Sequence, residues 1–255
     1  MKWENIIMKT KILKAAEVIK KSRNLIALTG AGISVESGIP DFRSAGGLWD
    51  KYDPAVYATI EAFNKMPGKV WEMIFDMIDL TAKADPNPGH RAMAELEAMG
   101  LLKSIITQNI DNLHQKGGSK NVIEYHGNSS RLVCLRCGSD FGIEEYRIFE
   151  REIPNCKNCQ RILKPSVIFF GEMIPQKALF ESQFLADSAD AVLVVGTSAI
   201  VYPAAGIPET AKENGAVIIE VNIEETVLSG GVTDIFIQGS SGIILPDLLE
   251  AVKSL

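Results

Sequence analysis

Short, continuously apolar segments recur along the chain, and longer segments with helical spacing separate them. The apolar runs lack the alternation of a half-exposed strand, which indicates strands buried on both faces of a parallel sheet. Residues 9–22 carry Ile12, Ala16 and Ile19 at helical spacing, which predicts an amphipathic helix that packs on this sheet. The predicted strands are 25–29, 104–107, 122–125, 167–170, 191–195, 217–221 and 234–237. The pattern therefore predicts an α/β fold with a doubly wound, parallel, Rossmann-like sheet.

Two parts of the chain interrupt this alternation. Residues 45–85 contain no strand-like run, and Pro54 and Pro67 break helix-compatible sequence with scattered aromatic residues, which predicts a helical insertion. Residues 129–165 contain all the cysteines and are too short to build their own core, which predicts a small module held by a metal ion. The sheet domain is then predicted to consist of residues 1–44, 86–128 and 166–255.

Length, composition and charge narrow the class of protein. The chain has 255 residues, 46% of them apolar, which is enough for one large domain with a full core and a small insertion. Its formal net charge of −6 gives no electrostatic support for direct nucleic-acid binding and favours a basic peptide as partner. No apolar run reaches the roughly 18 residues of a membrane span, and the first residues lack the features of a signal peptide. We therefore expect a cytoplasmic protein with no membrane partner and with reduced cysteines.

The first predicted strand runs into Gly-Ala-Gly at 30–32. Glycines let the main chain approach a pyrophosphate closely, and a helix that starts near Ser34 would direct its positive end at the same anion. A plain tight turn is the alternative interpretation of this motif alone. The next glycine, Gly38, comes six residues later rather than three, so the usual fingerprint of a hydride-transferring dehydrogenase is absent. An acid, an aromatic ring and a cation follow instead at 41–43, which suggests chemistry at the ribose end of a nucleotide.

Polar motifs follow the other predicted strands as well. Gln108, Asn109 and Asp111 come after the second strand, where they can bind ribose hydroxyls and a carboxamide, or form an Asx-turn that caps the next helix. His126 follows the third strand and is the natural general base, whereas His90 and His114 are predicted to be structural. Further motifs at predicted strand ends are Gly171-Glu172, Gly196-Thr197-Ser198 and Asn222. Because carboxyl ends of parallel strands meet at one edge, the sequence predicts a single ligand crevice there.

The cysteines fall into two Cys-x-x-Cys pairs that are separated by eighteen residues. Two such pairs form knuckles whose four thiolates meet around one zinc ion, and an iron site is the less favoured alternative. A shell of four thiolates is closed, so the predicted metal is structural rather than catalytic. The predicted ligands are Cys134, Cys137, Cys156 and Cys159.

In combination these motifs resemble the sirtuins of prokaryotic type, a family of NAD-dependent protein deacylases. The resemblance covers nearly the whole chain. It rests on GAGISVESGIPDFR (30–43), TQNIDNLHQKGG (107–118), HG (126–127), the two cysteine pairs, VIFFGE (167–172), GTS (196–198) and VN (221–222). It implies an NAD-dependent protein-lysine deacetylase or deacylase that acts on acyl-lysine proteins or peptides, with NAD as co-substrate and one structural zinc ion. The implied products are nicotinamide, free lysine and an O-acyl-ADP-ribose, and the sheet domain is the implied NAD-binding domain.

The resemblance also implies a role for individual residues. His126 would be the catalytic base that deprotonates a ribose hydroxyl, and Asn109 would be a second catalytic residue, in the nicotinamide pocket. The implied cofactor-binding residues are Gly30, Ala31, Gly32, Ile39, Asp41, Phe42, Arg43, Gln108, Asn109, Ile110, Asp111, Gly196, Thr197, Ser198, Asn222 and Ser240. The implied substrate contacts, an instance of strand addition by an extended peptide, are Val167, Ile168, Phe170 and Gly171.

One departure from the family bears on the acyl group. Sirtuins that remove succinyl and malonyl groups have a Tyr and an Arg three residues apart in the helical insertion, and a local alignment on 70–72 places Ile74 and Met77 there. Without that cation an acidic acyl group would be buried unpaired, so we expect acetyl or longer apolar acyl groups over succinyl. The alternatives are a protein mono-ADP-ribosyltransferase that uses the same NAD site and a non-catalytic NAD-binding module, although the presence of His126 argues against the latter. The physiological substrate, acyl-chain length and oligomeric state are left open.

Overall fold

The computed structural model describes residues 2–42 and 46–255, and the side chains of residues 6–42 and 46–255. Arg43, one of the predicted cofactor residues, lies outside the described residues. The strands are, in chain order, β1 (Leu25–Thr29), β2 (Leu102–Thr107), β3 (Val122–Glu124), β4 (Arg131–Val133), β5 (Asp140–Gly142), β6 (Lys164–Pro165), β7 (Ala191–Val195), β8 (Val217–Asn222) and β9 (Ile235–Gln238). The helices are α1 (Lys2–Lys21), α2 (Leu48–Lys51), α3 (Pro54–Tyr57), α4 (Ile60–Lys65), α5 (Pro67–Lys83), α6 (Pro88–Ala98), α7 (Leu113–Lys116), α8 (Gln176–Ser188), α9 (Gly206–Glu213) and α10 (Ser241–Ser254).

The larger sheet has six strands in the order β3-β2-β1-β7-β8-β9, and all neighbouring pairs are parallel. In this order β1 is central, and the chain builds outward from it first on one side and then on the other. At the carboxyl edge Thr29 of β1 pairs with Thr107 of β2 and with Val195 of β7. Ligands of such sheets bind where the strand order reverses, which here is the edge beside β1 and β7. The predicted doubly wound, Rossmann-like sheet is confirmed.

Helices cover both faces of this sheet. Every residue of β1 is buried, and successive side chains of a strand point to opposite faces. Leu25 and Ala27 belong to a core that they form with α1, α6 and α10. Ile26 and Leu28 belong to a second core, on the opposite face, to which α8 and α9 contribute. Coverage on both faces explains why the strands are continuous apolar runs in the sequence.

A smaller lobe contains the cysteine module and the helical insertion. The module forms a three-stranded antiparallel sheet in the order β5-β4-β6, as expected of the predicted zinc ribbon. Its Leu132 and Leu163 share one core with Trp71 of α5, and the indole N–H of Trp71 donates a hydrogen bond to the Leu163 carbonyl at 2.9 Å. The segments 45–85 and 129–165, predicted as separate parts, therefore pack on each other. The predicted domain boundaries stay a prediction.

The prediction of a sheet strand at 167–170 is wrong. Within residues 2–42 and 46–255, the β-type pairing of this segment is a single bridge between Phe170 and Thr59. Its backbone groups pair instead with different parts of the chain, since the Ile168 amide donates to the His126 carbonyl at 2.8 Å and the Phe170 amide to the Ala58 carbonyl at 2.9 Å. A short apolar run has the same pattern whether it lies inside a sheet or joins two lobes.

Two helix predictions also need correction. Helix α1 begins at Lys2 rather than at residue 9. Ile6 and Ile7 are each 55% exposed, whereas Met8 packs against the core, so among the described side chains the buried face begins next to the predicted start. The helix predicted near Ser34 is a 3₁₀ helix, Ala31–Ser37, that follows β1 directly.

Trp71 provides a test of the shared core in the smaller lobe. We expect Trp71→Phe to lower the free energy of unfolding by about 1–3 kcal/mol, because the buried Leu163 carbonyl loses its donor. Urea unfolding measures the effect. Phe149→Leu is the control, since Phe149 is 67% exposed and its replacement should change the free energy by less than about 0.5 kcal/mol. Equal effects of the two substitutions would contradict the shared core.

Candidate active site

A cavity of about 1190 Å³ opens at the carboxyl edge of the larger sheet, between that edge and the smaller lobe. Apart from Arg43, which is not described, every residue predicted to act in catalysis or to bind cofactor or peptide lines this cavity. These residues are Gly30, Ala31, Gly32, Ile39, Asp41, Phe42, Gln108, Asn109, Ile110, Asp111, His126, Val167, Ile168, Phe170, Gly171, Gly196, Thr197, Ser198, Asn222 and Ser240. Seven sequence-distant segments therefore meet at one site, although the roles of their residues stay predictions.

The glycines after β1 pack against the turn that follows β7. The Gly32 amide donates to the Gly196 carbonyl at 2.8 Å. A Cβ atom on Gly30 would lie 2.7 Å from the Thr197 Cβ, and one on Gly32 would lie 2.7 Å from the Gly196 Cα. Gly196 itself has a φ of +57°, in the left-handed region. These glycines are therefore required by the close packing of the turns at 30–32 and 196–198, in addition to any approach to a phosphate.

A chain of hydrogen bonds links this turn to the end of β2. The Asn109 amide donates to the Gly30 carbonyl at 3.1 Å and to the Ser34 hydroxyl at 3.2 Å. Ser34 donates in turn to the Asp111 carboxylate at 2.7 Å, which also accepts the Leu113 amide at 2.9 Å. The last bond is the Asx-turn that the sequence left open, and it caps α7. Burial raises the pKa of Asp111, and the network holds Asn109 and Asp111 in the cavity wall.

The ring of His126 is oriented by the backbone beside it. Its Nδ1 lies 3.2 Å from the Gln108 carbonyl, and its ring contacts the edge of the Tyr125 ring, with 5.6 Å between the centroids. A carbonyl oxygen only accepts hydrogen bonds, so in the neutral ring the proton resides on Nδ1 and Nε2 keeps its lone pair. Burial lowers the pKa of His126, which favours the neutral form at pH 7. This is the state that a general base requires.

The other two histidines are structural, as predicted. His114 Nε2 lies 2.9 Å from the Thr29 hydroxyl, and its ring packs edge-on against His90 with 5.0 Å between the centroids. His90 also takes part in the capping box of α6 with Asn87. Burial lowers the pKa of His90 to about 4 and that of His114 to about 3. Both rings are therefore neutral parts of the protein interior.

The four cysteines of the smaller lobe converge on one point. Their Sγ atoms all lie within 4.8 Å of one another, with 3.4 Å between Cys134 and Cys159 and 3.6 Å between Cys137 and Cys156. A tetrahedral zinc ion with bonds of about 2.3 Å needs sulfur atoms roughly 3.8 Å apart. The donor set and its spacing fit one zinc ion with a closed shell, as predicted.

Sequence reasoning missed a buried carboxylate behind the cavity wall. Glu220 lies in β8, is 1% exposed and accepts hydrogen bonds from the hydroxyls of Thr226, Ser229 and Thr233. These bonds hold the loop after β8, whose residues 223–227 line the cavity. The signal was present as a lone charged residue inside the apolar run of β8.

A comparison with protein families identifies the chain. The model of the Sir2 family matches residues 30–203, well over half of the sequence. This chain belongs to the Sir2 family. Curated relatives include an NAD-dependent protein deacylase of Pyrococcus abyssi, 46% identical over 96% of this chain and 99% of the relative. Another is NAD-dependent protein deacylase 2 of Archaeoglobus fulgidus, 47% identical over 97% of this chain and 98% of the relative.

Solved Sir2 structures have the same fold. A structure described under the mechanism and regulation of Sir2 enzymes has a TM-score of 0.91, with 46% identity over 96% of this chain and 99% of its own. A complex of a Sir2 homologue with NAD has a TM-score of 0.88, with 41% identity over 94% and 93%. Sir2Af2 bound to a myristoylated histone peptide has a TM-score of 0.82, with 40% identity over 96% and 97%. The predicted family, and with it the predicted enzyme class, is confirmed.

The packed glycine turn of this Sir2 family member is testable by one methyl group. We expect Gly32→Ala to lower the melting temperature and to weaken NAD binding by about tenfold or more, because the new Cβ would meet the Gly196 backbone at 2.7 Å. Calorimetry measures both effects. Gly230→Ala is the matched control, since no atom lies within 4 Å of its Cβ position. Unchanged NAD binding by Gly32→Ala would contradict the assignment of this turn to the site.

Proposed function

We infer that this Sir2 family member is an NAD-dependent protein-lysine deacylase, and we propose that His126 is its catalytic base. The enzyme class rests on the family and on the names of the curated relatives. The observation that carries the role of His126 is its place in the cavity, with Nδ1 held by the Gln108 carbonyl and the Nε2 lone pair available. The glycine turn at 30–32 and the segment 167–171 both border this cavity, so the base lies where NAD and the peptide would meet.

The half of the cavity beside the larger sheet suits NAD. Its volume of about 1190 Å³ exceeds the roughly 300–1,000 Å³ of ordinary small-molecule sites, which leaves room for a second substrate. Thr197 accepts a hydrogen bond from the Gln108 amide at 2.9 Å and, through its carbonyl, one from the Asn222 amide at 3.1 Å. We assign the phosphates to the turns at 30–32 and 196–198, the adenosine to Asn222 and Ser240, and the nicotinamide to the Asn109 side.

The half of the cavity that we assign to the peptide is bounded by residues 167–171. Within the described part of the chain, the Ile168 carbonyl and the Gly171 amide have no hydrogen-bond partner. An extended peptide can take these groups by strand addition, which is the assignment that the resemblance implies. Phe170 lines the cavity with 46% of its side chain exposed, and we assign it to the aliphatic stem of the acyl-lysine. The myristoylated histone peptide bound to Sir2Af2 supports acylated peptides as the class of partner.

The chemistry assigned to this chain is acyl transfer without a redox step. NAD supplies an electrophilic ribose carbon when nicotinamide leaves, and the acyl-lysine oxygen is the group that meets it. His126 takes a proton from a ribose hydroxyl at Nε2, which allows that hydroxyl to accept the acyl group. One water molecule is consumed when the amine leaves and the sugar regains its anomeric hydroxyl, and the proposed products are nicotinamide, free lysine and an O-acyl-ADP-ribose. Because burial lowers the pKa of His126 below that of an ordinary imidazole, the base stays neutral at pH 7 and is lost only as the pH falls through this lowered pKa.

The cavity wall favours acetyl and apolar acyl groups over succinyl. Met77 lines the cavity beside Phe42 and Trp49, whereas Ile74 is 5% exposed and belongs to the core of the smaller lobe. The described lining contains no Lys or Arg, but it contains carboxylates: Glu36, Asp41, Asp111, Glu172, Glu224 and Glu225. A succinyl carboxylate would lack a cation and would add to this negative charge. The myristoyl group carried by the peptide of Sir2Af2 supports an apolar acyl site.

The absence of nucleic-acid and membrane partners stays a prediction. Direct nucleic-acid binding is not expected, in line with the net charge of −6. Over residues 2–42 and 46–255, no helix has the length and the apolar character needed to cross a membrane. A cytoplasmic location stays an expectation from the sequence.

The proposed reaction is tested by nicotinamide release. We expect the protein to release nicotinamide from NAD only when an acetyl-lysine peptide is present, and to deacetylate that peptide in equal amount. His126→Ala should lower deacetylation by a factor of about 100 or more, as expected when a general base is removed. The distant surface substitution Phe149→Ala, at a side chain that is 67% exposed, is the control.

Other outcomes of this assay assign other functions. Nicotinamide release without an acyl peptide, accompanied by labelled ADP-ribose on protein, would indicate mono-ADP-ribosyl transfer. NAD binding without release, with acetyl, succinyl and long-chain peptides alike, would indicate a binding module and refute the proposal.

The acyl preference is tested at Met77. We expect the wild-type protein to favour acetyl and long-chain acyl peptides over succinyl peptides in kcat/KM. Met77→Arg should raise kcat/KM for the succinyl peptide about tenfold relative to acetyl, because it supplies the missing cation. Met77→Gln is the matched control, since it adds polarity without charge and should not change the preference. An efficient wild-type desuccinylase would contradict the argument from the cavity wall.

A further inference from the structure

The smaller lobe contains an ion pair that is buried at the edge of the cavity. Lys164, the first residue of β6, is only 2% exposed in its side chain, and Glu172 is 17% exposed. Their charged atoms, Lys164 Nζ and Glu172 Oε2, lie 2.9 Å apart. Lysine is almost never fully buried in proteins unless it is paired. None of the roles assigned above explains why a charge is kept in this position.

Every polar contact of this ion pair falls on the peptide-facing segment. Lys164 Nζ donates to the Pro165 carbonyl at 3.0 Å and to the Val167 carbonyl, and it lies 4.5 Å from the centre of the Phe169 ring. With Glu172, these acceptors satisfy all three N–H groups of the ammonium. Glu172 also accepts the Phe169 amide at 2.8 Å. The pair therefore closes the segment 165–171 into a loop and bonds to its main chain from inside.

Beyond Pro165, the last residue of β6, the segment has no ladder of bonds to a neighbouring strand that could give it a fixed shape. Its main chain bonds to separate parts of the protein: the Ser166 amide donates to the Arg131 carbonyl at 2.8 Å, and the Ile168 amide donates to the His126 carbonyl at 2.8 Å. Phe170 forms one isolated bridge, through its amide and its carbonyl, with residues 58 and 60. A strand in a sheet is held by a ladder of bonds on each side. Here the side chains of Lys164 and Glu172 take the place of a ladder on one side. Within the described part of the chain, the Ile168 carbonyl and the Gly171 amide stay unpaired in the cavity wall, where a peptide can add.

We propose that the Lys164–Glu172 ion pair is a positioning device for the acyl-lysine peptide, which sets the main-chain shape of residues 165–171 onto which the peptide adds. The inference rests on the proposed function, because it assumes that a peptide binds along this segment. The role proposed for the ion pair is one of positioning, without direct contact with the reacting atoms. Positioning of this kind acts on peptide binding, whereas NAD lies on the far side of the cavity and should be indifferent to the pair.

The test uses a double variant, because loss of one partner alone would leave the other charge buried and unpaired. Lys164→Met with Glu172→Gln removes both charges, keeps similar volumes and keeps an oxygen that can accept the Phe169 amide. We expect KM for the acetyl-lysine peptide, and its dissociation constant by fluorescence anisotropy, to rise about tenfold, with kcat at saturating peptide within about twofold of wild type. The dissociation constant of NAD and the zinc content should not change.

The matched control removes an exposed pair of the same type from the same lobe. Lys157 and Glu145 lie 2.6 Å apart, at 51% and 41% side-chain exposure, and neither lines the cavity. Lys157→Met with Glu145→Gln should leave peptide and NAD binding at wild-type values. If the buried double variant does not fold, Lys164→Met alone serves in its place, because the carboxylate that it leaves unpaired, Glu172, is 17% exposed and lines the cavity, and the expected shift has the same direction.

The outcomes separate this inference from the proposed function. Unchanged peptide binding by the buried double variant, with an active wild type, would overturn the inference and leave the function standing. A parallel loss of NAD binding or of zinc would overturn it too, because the pair would then support the whole fold. A wild-type protein that binds no acyl-lysine peptide would refute the proposed function, and the inference with it.

Discussion

The close approach of two turns at the carboxyl ends of β1 and β7 is the constraint on which the site depends. Gly30 and Gly32 meet Gly196 so closely that a methyl group on any of them would overlap main-chain or Cβ atoms. This contact forms the floor of the cavity where the strand order reverses. It also fixes the Gly30 carbonyl, to which Asn109 bonds. The polar network of the cavity wall is thus built outward from one packing contact.

The smaller lobe adds what a plain Rossmann-like sheet lacks. Helix α5 and the zinc ribbon share a core around Trp71, so a zinc ion bound by the four cysteines would stabilise the helical insertion as well as the ribbon. The segment 165–171 leaves this lobe and bonds to the carbonyl of His126. A cavity between the two bodies can therefore receive a nucleotide from the sheet side and a peptide from the lobe side.

The electrostatics of the cavity suit a cationic protein substrate and an anionic co-substrate in different ways. The described lining of the cavity contains carboxylates but no Lys or Arg, so its negative charge favours peptides with basic residues around the acyl-lysine. Phosphates at the same site would then be held by backbone amides and small hydroxyls, as in other glycine-rich turns. Burial raises the pKa of Asp111 and lowers that of His126, so in both groups burial favours the neutral form.

The sequence alone determined the class of fold, the zinc ligands and a set of site residues of which all the described members line the cavity, because buried parallel strands, Cys-x-x-Cys pairs and strand-end motifs are local patterns. Only the tertiary structure showed that 167–170 lies outside the sheet, that the two insertions share a core, and that Lys164, Glu172 and Glu220 support cavity segments. Those features depend on partners far apart in the chain or on the shape of a connecting segment. A local pattern specifies that a residue is buried or charged, but packing decides what it meets.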